Sequence, residues 1–124
     1  MNKDRDYYIN MLEVGNEISE ISSWLVHSKY GTDEETKNQR AIYLKALEGF
    51  RNSKLKFMSV DAPSNYKAKH EGIVEAIQMF IDGSQCLFDA IIISESKIRV
   101  DMDMIEKGRL LLEQGNQKFN DTTK

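Results

Sequence analysis

The side chains best equipped for chemistry in this 124-residue chain are His27, His70, Cys86 and a polar trio, Ser84, Arg109 and Asn116. Each has a spacing that decides what it can do. A di-iron helical site takes Glu-x-x-His motifs from two helices and glutamates from two more. Here the residues three before the histidines are Lys67 and Trp24, neither of them a ligand. Two histidines also fall short of a three-histidine zinc site. A phosphotransfer histidine must be exposed and followed by lysine and small residues, which His70-Glu71-Gly72-Ile73 does not supply. Cys86 has no histidine at helical spacing to activate it, so it reads as a half-buried apolar filler. No Gly-x-Ser-x-Gly elbow and no glycine-rich phosphate loop occurs. The expectation is a non-enzymatic protein with no catalytic residue, metal or cofactor.

Two binding constellations remain. Arg51, Lys54, Lys56, Lys67 and Lys69, with Phe57 and Tyr66 nearby, gather around one inter-helix connection and form a candidate docking site for a partner protein. Part of that cluster has a structural use, since cations near a helix C-terminus complement its dipole. The acidic residues Asp4, Asp6, Glu13, Glu17 and Glu20 read as a solvated face offering pairs to it. The second constellation is a small polar cavity lined by Gly83, Ser84, Gly108 and Arg109, suited to an anionic ligand. Its structural counterpart is a polar layer in which Arg109 reaches a carboxylate such as Asp82 or Glu106.

Composition narrows the partner. A net charge of −3 disfavours a general nucleic-acid binder, which needs a cationic face. One cysteine rules out an intramolecular disulfide. No apolar run is longer than that of Ala90 to Ile93, which is far short of a membrane span. The expected address is cytoplasmic, the alternative being an exported mature form whose signal has been removed.

Four helices must position these residues. Tyr7, Met11, Val14, Ile18, Ile21 and Leu25 alternate four and three along a first helix over about 4–30, which Gly31 stops in the left-handed conformation. Thr32-Asp33-Glu34-Glu35 matches a capping box opening a second helix, 33–58, with Ile42, Tyr43, Ala46, Leu47, Phe50, Leu55 and Phe57 as a broad apolar face. Pro63 opens a third, 63–93, whose seam is Tyr66, His70, Ile73, Ile77, Phe80, Ser84, Leu87 and Ile91. A fourth, 97–119, turns Ile98, Met102, Ile105, Leu112 and Phe119 inward and leaves 120–124 as a fraying tail.

Small residues tie the last two helices together. Ala76, Gly83 and Ala90 recur every seven positions on one, Gly108 and Gly115 on the other. If the chain reverses near residue 95, Ala90 comes level with Asp101, Gly83 with Gly108 and Ala76 with Gly115. A helical glycine costs about 1 kcal/mol relative to alanine, so repeated in-phase glycines make sense where two backbones touch. The competing arrangement is one continuous helix over 64–119 in a domain-swapped dimer. Short connections otherwise make neighbours antiparallel, so the expected fold is a single-domain, all-α, antiparallel up-down-up-down four-helix bundle. It is expected to be a monomer or modest homodimer, with Tyr8, Trp24, Met79, Ile92, Ile93 and Leu111 as exposed apolar contacts.

The segment Ala62-Pro63-Ser64-Asn65-Tyr66-Lys67-Ala68-Lys69-His70, followed by an apolar helix containing Gly83, resembles uncharacterised helical-bundle proteins and lipoproteins of Gram-positive bacteria and their mobile elements. The resemblance spans about thirty residues and departs from exported members in lacking a signal peptide and a lipid-attachment cysteine. It implies a helical fold in a bacterial or phage setting and carries no catalytic residues. The functional expectation is a protein-interaction module: a small adaptor, a regulator or a mobile-element inhibitor of a partner protein. The alternative is a ligand-binding helical bundle built around Arg109.

Overall fold

The computed structural model describes residues 2–124, which are predominantly α-helical. Helices α1 (Lys3–Ser23), α2 (Asp33–Met58), α3 (Lys67–Ala90) and α4 (Met102–Thr123) are joined by irregular segments, by a single 3₁₀ turn (Ser64–Tyr66) before α3, and by a two-stranded antiparallel ribbon, β1 (Ile91–Ser94) and β2 (Lys97–Val100).

Helices α1, α2 and α4 each start on a side-chain cap, and α3 has none. Asn2 accepts from Arg5 N, and Thr32 Oγ1 accepts from Glu35 N at 3.1 Å, the half of the capping box that opens α2. Asp101 Oδ1 receives the backbone N–H groups of Asp103 and Met104 at the start of α4. Helix α1 is shorter than its seam suggests. It stops at Ser23, whose hydroxyl donates to Glu20 O at 2.5 Å, and the chain continues irregularly through Gly31, which has no positive φ. The left-handed stop expected there is therefore absent. Leu25 nonetheless stays buried, so the apolar pattern outlasts the helix.

The sharpest departure lies between α3 and α4. The expected arrangement is helix to 93, a loop at 94–97 and helix again from 97, or one continuous helix, and the chain forms a β-hairpin instead, with Ile91 opposite Val100, Ile92 opposite Arg99, Ile93 opposite Ile98 and Ser94 opposite Lys97. Ile91-Ile92-Ile93 is a β-branched run, and Lys97-Ile98-Arg99-Val100 alternates polar and apolar, both of which favour an extended, half-buried backbone. Glu95 makes the two-residue reversal possible at φ 48°. The hairpin eliminates the continuous 64–119 rod. It moves the end of the third helix from 93 back to Ala90 and the start of the fourth from 97 to Met102.

The predicted α3–α4 register holds through the ribbon. Asp101 N donates to Ala90 O at 2.8 Å. A Cβ on Gly83 would lie 2.8 Å from Gly108 O, one on Gly108 equally close to Gly83 O, and one on Gly115 3.2 Å from Ala76 O. At 83 and 108 even a methyl group would force the two backbones apart, whereas at 115 the neighbours would have to give by only a few tenths of an ångström. Elsewhere the helices meet through Ile21 against Gly49, Phe50 stacked on Phe80 at 5.1 Å between centroids, and Arg40 over the Phe88 ring at 4.2 Å.

The core is aromatic and aliphatic. Tyr7, Tyr43, Phe50, Phe57, Phe80, Leu47, Ile73, Ile77 and Leu87 are fully buried, and the whole α1 seam joins them. Two residues assigned inward point out: Leu55 is 69% and Met102 59% exposed. Leu55 lies off the stripe set by Tyr43, Ala46, Leu47, Phe50 and Phe57, and Met102 sits in the first turn of α4 on its solvent side. Ile98 lies in β2 rather than in a helix, and is half-buried. The expected tail is helical to Thr123, whose hydroxyl bonds Phe119 O. Among the described residues no helix is long and apolar enough to cross a membrane.

Candidate functional site

The connection between α2 and α3 lies against α1 and leaves two adjoining concavities of about 250 and 540 Å³, which share Asn10 and Val60. Pro63 sets this path. It holds the preceding residue extended, and the chain runs from Ser59 to Pro63 alongside α1 before turning into Ser64–Tyr66. The floor is apolar, with Val14 and Phe57 under one concavity and Tyr7 and Ala62 under the other. The rim carries both charges: Asp6, Glu13, Glu17 and Asp61 against Lys3, Lys56 and Lys67.

The predicted docking cluster is divided by this geometry. Lys56 is committed to α1, its ammonium 2.6 Å from Glu17, which also accepts from Ser53 Oγ. Arg51 and Lys54 lie on the opposite flank of α2 and donate across α3 to Gln85 and Gln78. Lys69 reaches the Lys124 carbonyl, and only Lys67, with Lys56, lines the groove. Phe57 is 2% exposed and stacks on His70 at 4.5 Å, which makes it a core residue rather than a docking one. Tyr66 is half-buried on Tyr7. Consecutive charges on a helix do not share a face: at 100° per residue, Lys54 and Lys56 point to different neighbours.

The Gly83–Ser84–Gly108–Arg109 cavity does not form. Close contact of the two glycine backbones fills the space, and Ser84 is fully buried with its hydroxyl unpartnered. Arg109 points the other way. It is exposed and donates to Ser28 Oγ at 2.5 Å rather than to Asp82 or Glu106. There it meets residues that the sequence reading left out: Ser28 lies 3.0 Å from the buried Tyr43 hydroxyl, which also contacts that of Tyr30. Tyr43 was legible only as a core aromatic. Its phenol is the missed signal, because a buried hydroxyl requires a partner.

His70 occupies the core edge foreseen for it. Its Nδ1 is 2.9 Å from the Tyr7 hydroxyl, and burial holds the imidazole below its ordinary range, with Glu71 opposing the shift. Burial, with Tyr66 adding to it, pushes Tyr7 up to about 12, so that hydroxyl keeps its proton. Cys86 is half-buried. Among the described residues no three His, Cys, Asp or Glu side chains are grouped to hold a metal ion. Comparison with protein-family models, curated proteins and solved structures finds no match to this chain.

Proposed function

We propose that this chain is a non-enzymatic protein-interaction module, an antiparallel up-down-up-down four-helix bundle that serves in the cytoplasm of a bacterium as an adaptor, regulator or mobile-element inhibitor. The bundle arrangement is supported by contacts whose positions rise on one helix as they fall on the next: Ile21 with Gly49 and Glu17 with Lys56, Arg40 with Phe88 and Phe57 with His70, Gly83 with Gly108 and Ala76 with Gly115. The observation that carries the functional reading is the groove between α1 and residues 59–67, apolar on its floor and charged on both rims. Such a surface suits a protein segment of mixed charge, since buried apolar contact supplies affinity and rim charges supply orientation.

The test is site-specific photocrosslinking in the native host, with the crosslinker at Asn10 or Ser64 in the groove and at Gln114 on exposed α4 as the control. A single protein crosslinked from both groove positions and not from Gln114 is the expected result. Equal products from all three positions, or none from the groove, would overturn the reading.

A further inference from the structure

At the far end of α1 from the groove, three hydroxyls stand in line beside a cation. Ser28 Oγ accepts from Arg109 Nη2 and lies next to Tyr43 Oη, which contacts Tyr30 Oη. A guanidinium only donates, and each neutral hydroxyl brings one proton. Burial raises Tyr43 above the ordinary phenol range, so it remains protonated. Three hydroxyl protons then serve two oxygen-to-oxygen contacts, and one is left over. Tyr43 is fully buried, so the spare donor falls to Ser28 or Tyr30, both half-buried.

The surroundings add donors, and no carboxylate is paired with the cation. Arg109 takes part in none of the ion pairs among the described residues, although Glu106 and Glu113 lie about one turn away on the same helix, so most of its guanidinium N–H groups lack a charged partner. Gln39, one turn before Tyr43 and 3% exposed, spends its Oε1 on the backbone N–H of Lys29 and leaves Nε2 buried without an acceptor. The α1–α2 connection, α2 and α4 thus converge on a positive, donor-rich and acceptor-poor cluster.

We infer that Arg109, Ser28 and Tyr30 form a binding site for a small oxyanion, phosphate or carboxylate, supported from behind by Tyr43 and Gln39. The planar guanidinium fork presents two parallel N–H groups to such a group, and the leftover hydroxyl proton supplies a further donor. This site is independent of the groove and of any protein partner there.

The experiment is a titration of the full chain with inorganic phosphate, and separately with acetate, at constant ionic strength, followed by amide NMR shifts at Ser28, Lys29 and Tyr30 and by the side-chain signals of Arg109 and Gln39. Saturable shifts confined to these groups are expected, with phosphate alone or acetate alone assigning the ligand class. Arg109→Gln should bind at least about tenfold more weakly, the loss of one charge-assisted contact, and Lys107→Gln on exposed α4 should bind as the parent does. If Arg109→Gln loses spectral dispersion, Arg109→Lys keeps the cation without the fork and should bind more weakly in a folded chain. Non-saturable shifts in the parent, or parental affinity in the folded Arg109 variants, would overturn the inference.

Discussion

Two kinds of glycine sit in these helices, and their neighbours separate them. A Cβ at Gly83 or Gly108 meets a backbone carbonyl at 2.8 Å, and backbone cannot swing aside, so alanine at either position should push α3 and α4 apart. Overpacking of this kind costs about 1–3 kcal/mol, which outweighs the roughly 1 kcal/mol of helix propensity that alanine adds. Gly15 differs: its Cβ would rest 3.5 Å from the Phe119 ring, an ordinary contact. Gly15→Ala should therefore raise the melting temperature while Gly83→Ala and Gly108→Ala lower it, an opposition that thermal melting followed by circular dichroism checks directly. His70 supplies a second prediction at this scale. Its folded-state pKa lies below the ordinary 6.5, chiefly through burial, so between the two values the unfolded chain binds more protons than the folded one. Stability from this group is fully present above pH 6.5 and is lost as pH falls through the folded value. An NMR titration of the His70 ring protons should show a midpoint under 6.5, and a midpoint above it would mean that burial does not dominate.

The ribbon between α3 and α4 is the element with the most to gain from a single change. Glu95 takes φ 48° in the two-residue reversal, a conformation that glycine and asparagine adopt far more readily than glutamate. Glu95→Gly should stabilise the protein by up to about 1 kcal/mol, limited by the greater chain entropy of glycine in the unfolded state. Chemical denaturation with an unchanged slope and a higher midpoint is the expected signature. A loop read over 94–97 accounted for the reversal but not for its form. The β-branched run Ile91–Ile93 and the alternation over 97–100 were visible in the sequence, yet Ile91 also continued the seven-residue seam of α3. Helical pattern and strand propensity competed over 91–93 and 97–100, and the strands won both stretches. The capping of α4 by Asp101, with Asp101 N bonded to Ala90 O, settles the boundary at the base of the hairpin.

For the molecule as a whole, the small-residue seam is consumed within one chain, because Gly83, Gly108 and Gly115 already face α3 and α4 of the same copy. Light scattering should give a mass near the 14.3 kDa of a single chain, and a tight dimer would require a second apolar surface. Exposed Tyr8, Ile92 and Ile93 are candidates for weak contact, whereas Trp24, Met79 and Leu111 are half-buried, Trp24 beneath the Lys45 ammonium at 4.4 Å. The seam positions of α1, the α3 core stripe, the Thr32 cap and the pairing of Gly83 with Gly108 were all legible in the chain itself. Periodicity, capping and equal spacing about a reversal are relations that a helix imposes on the order of residues. The division of the lysines was less legible, since it depends on which face of α2 each neighbour covers. The contact of Arg109 with Ser28 joins residues 81 positions apart, and no local pattern encodes it. Only packing decides it, by carrying α4 back to the connection between α1 and α2, where a buried tyrosine hydroxyl requires a partner.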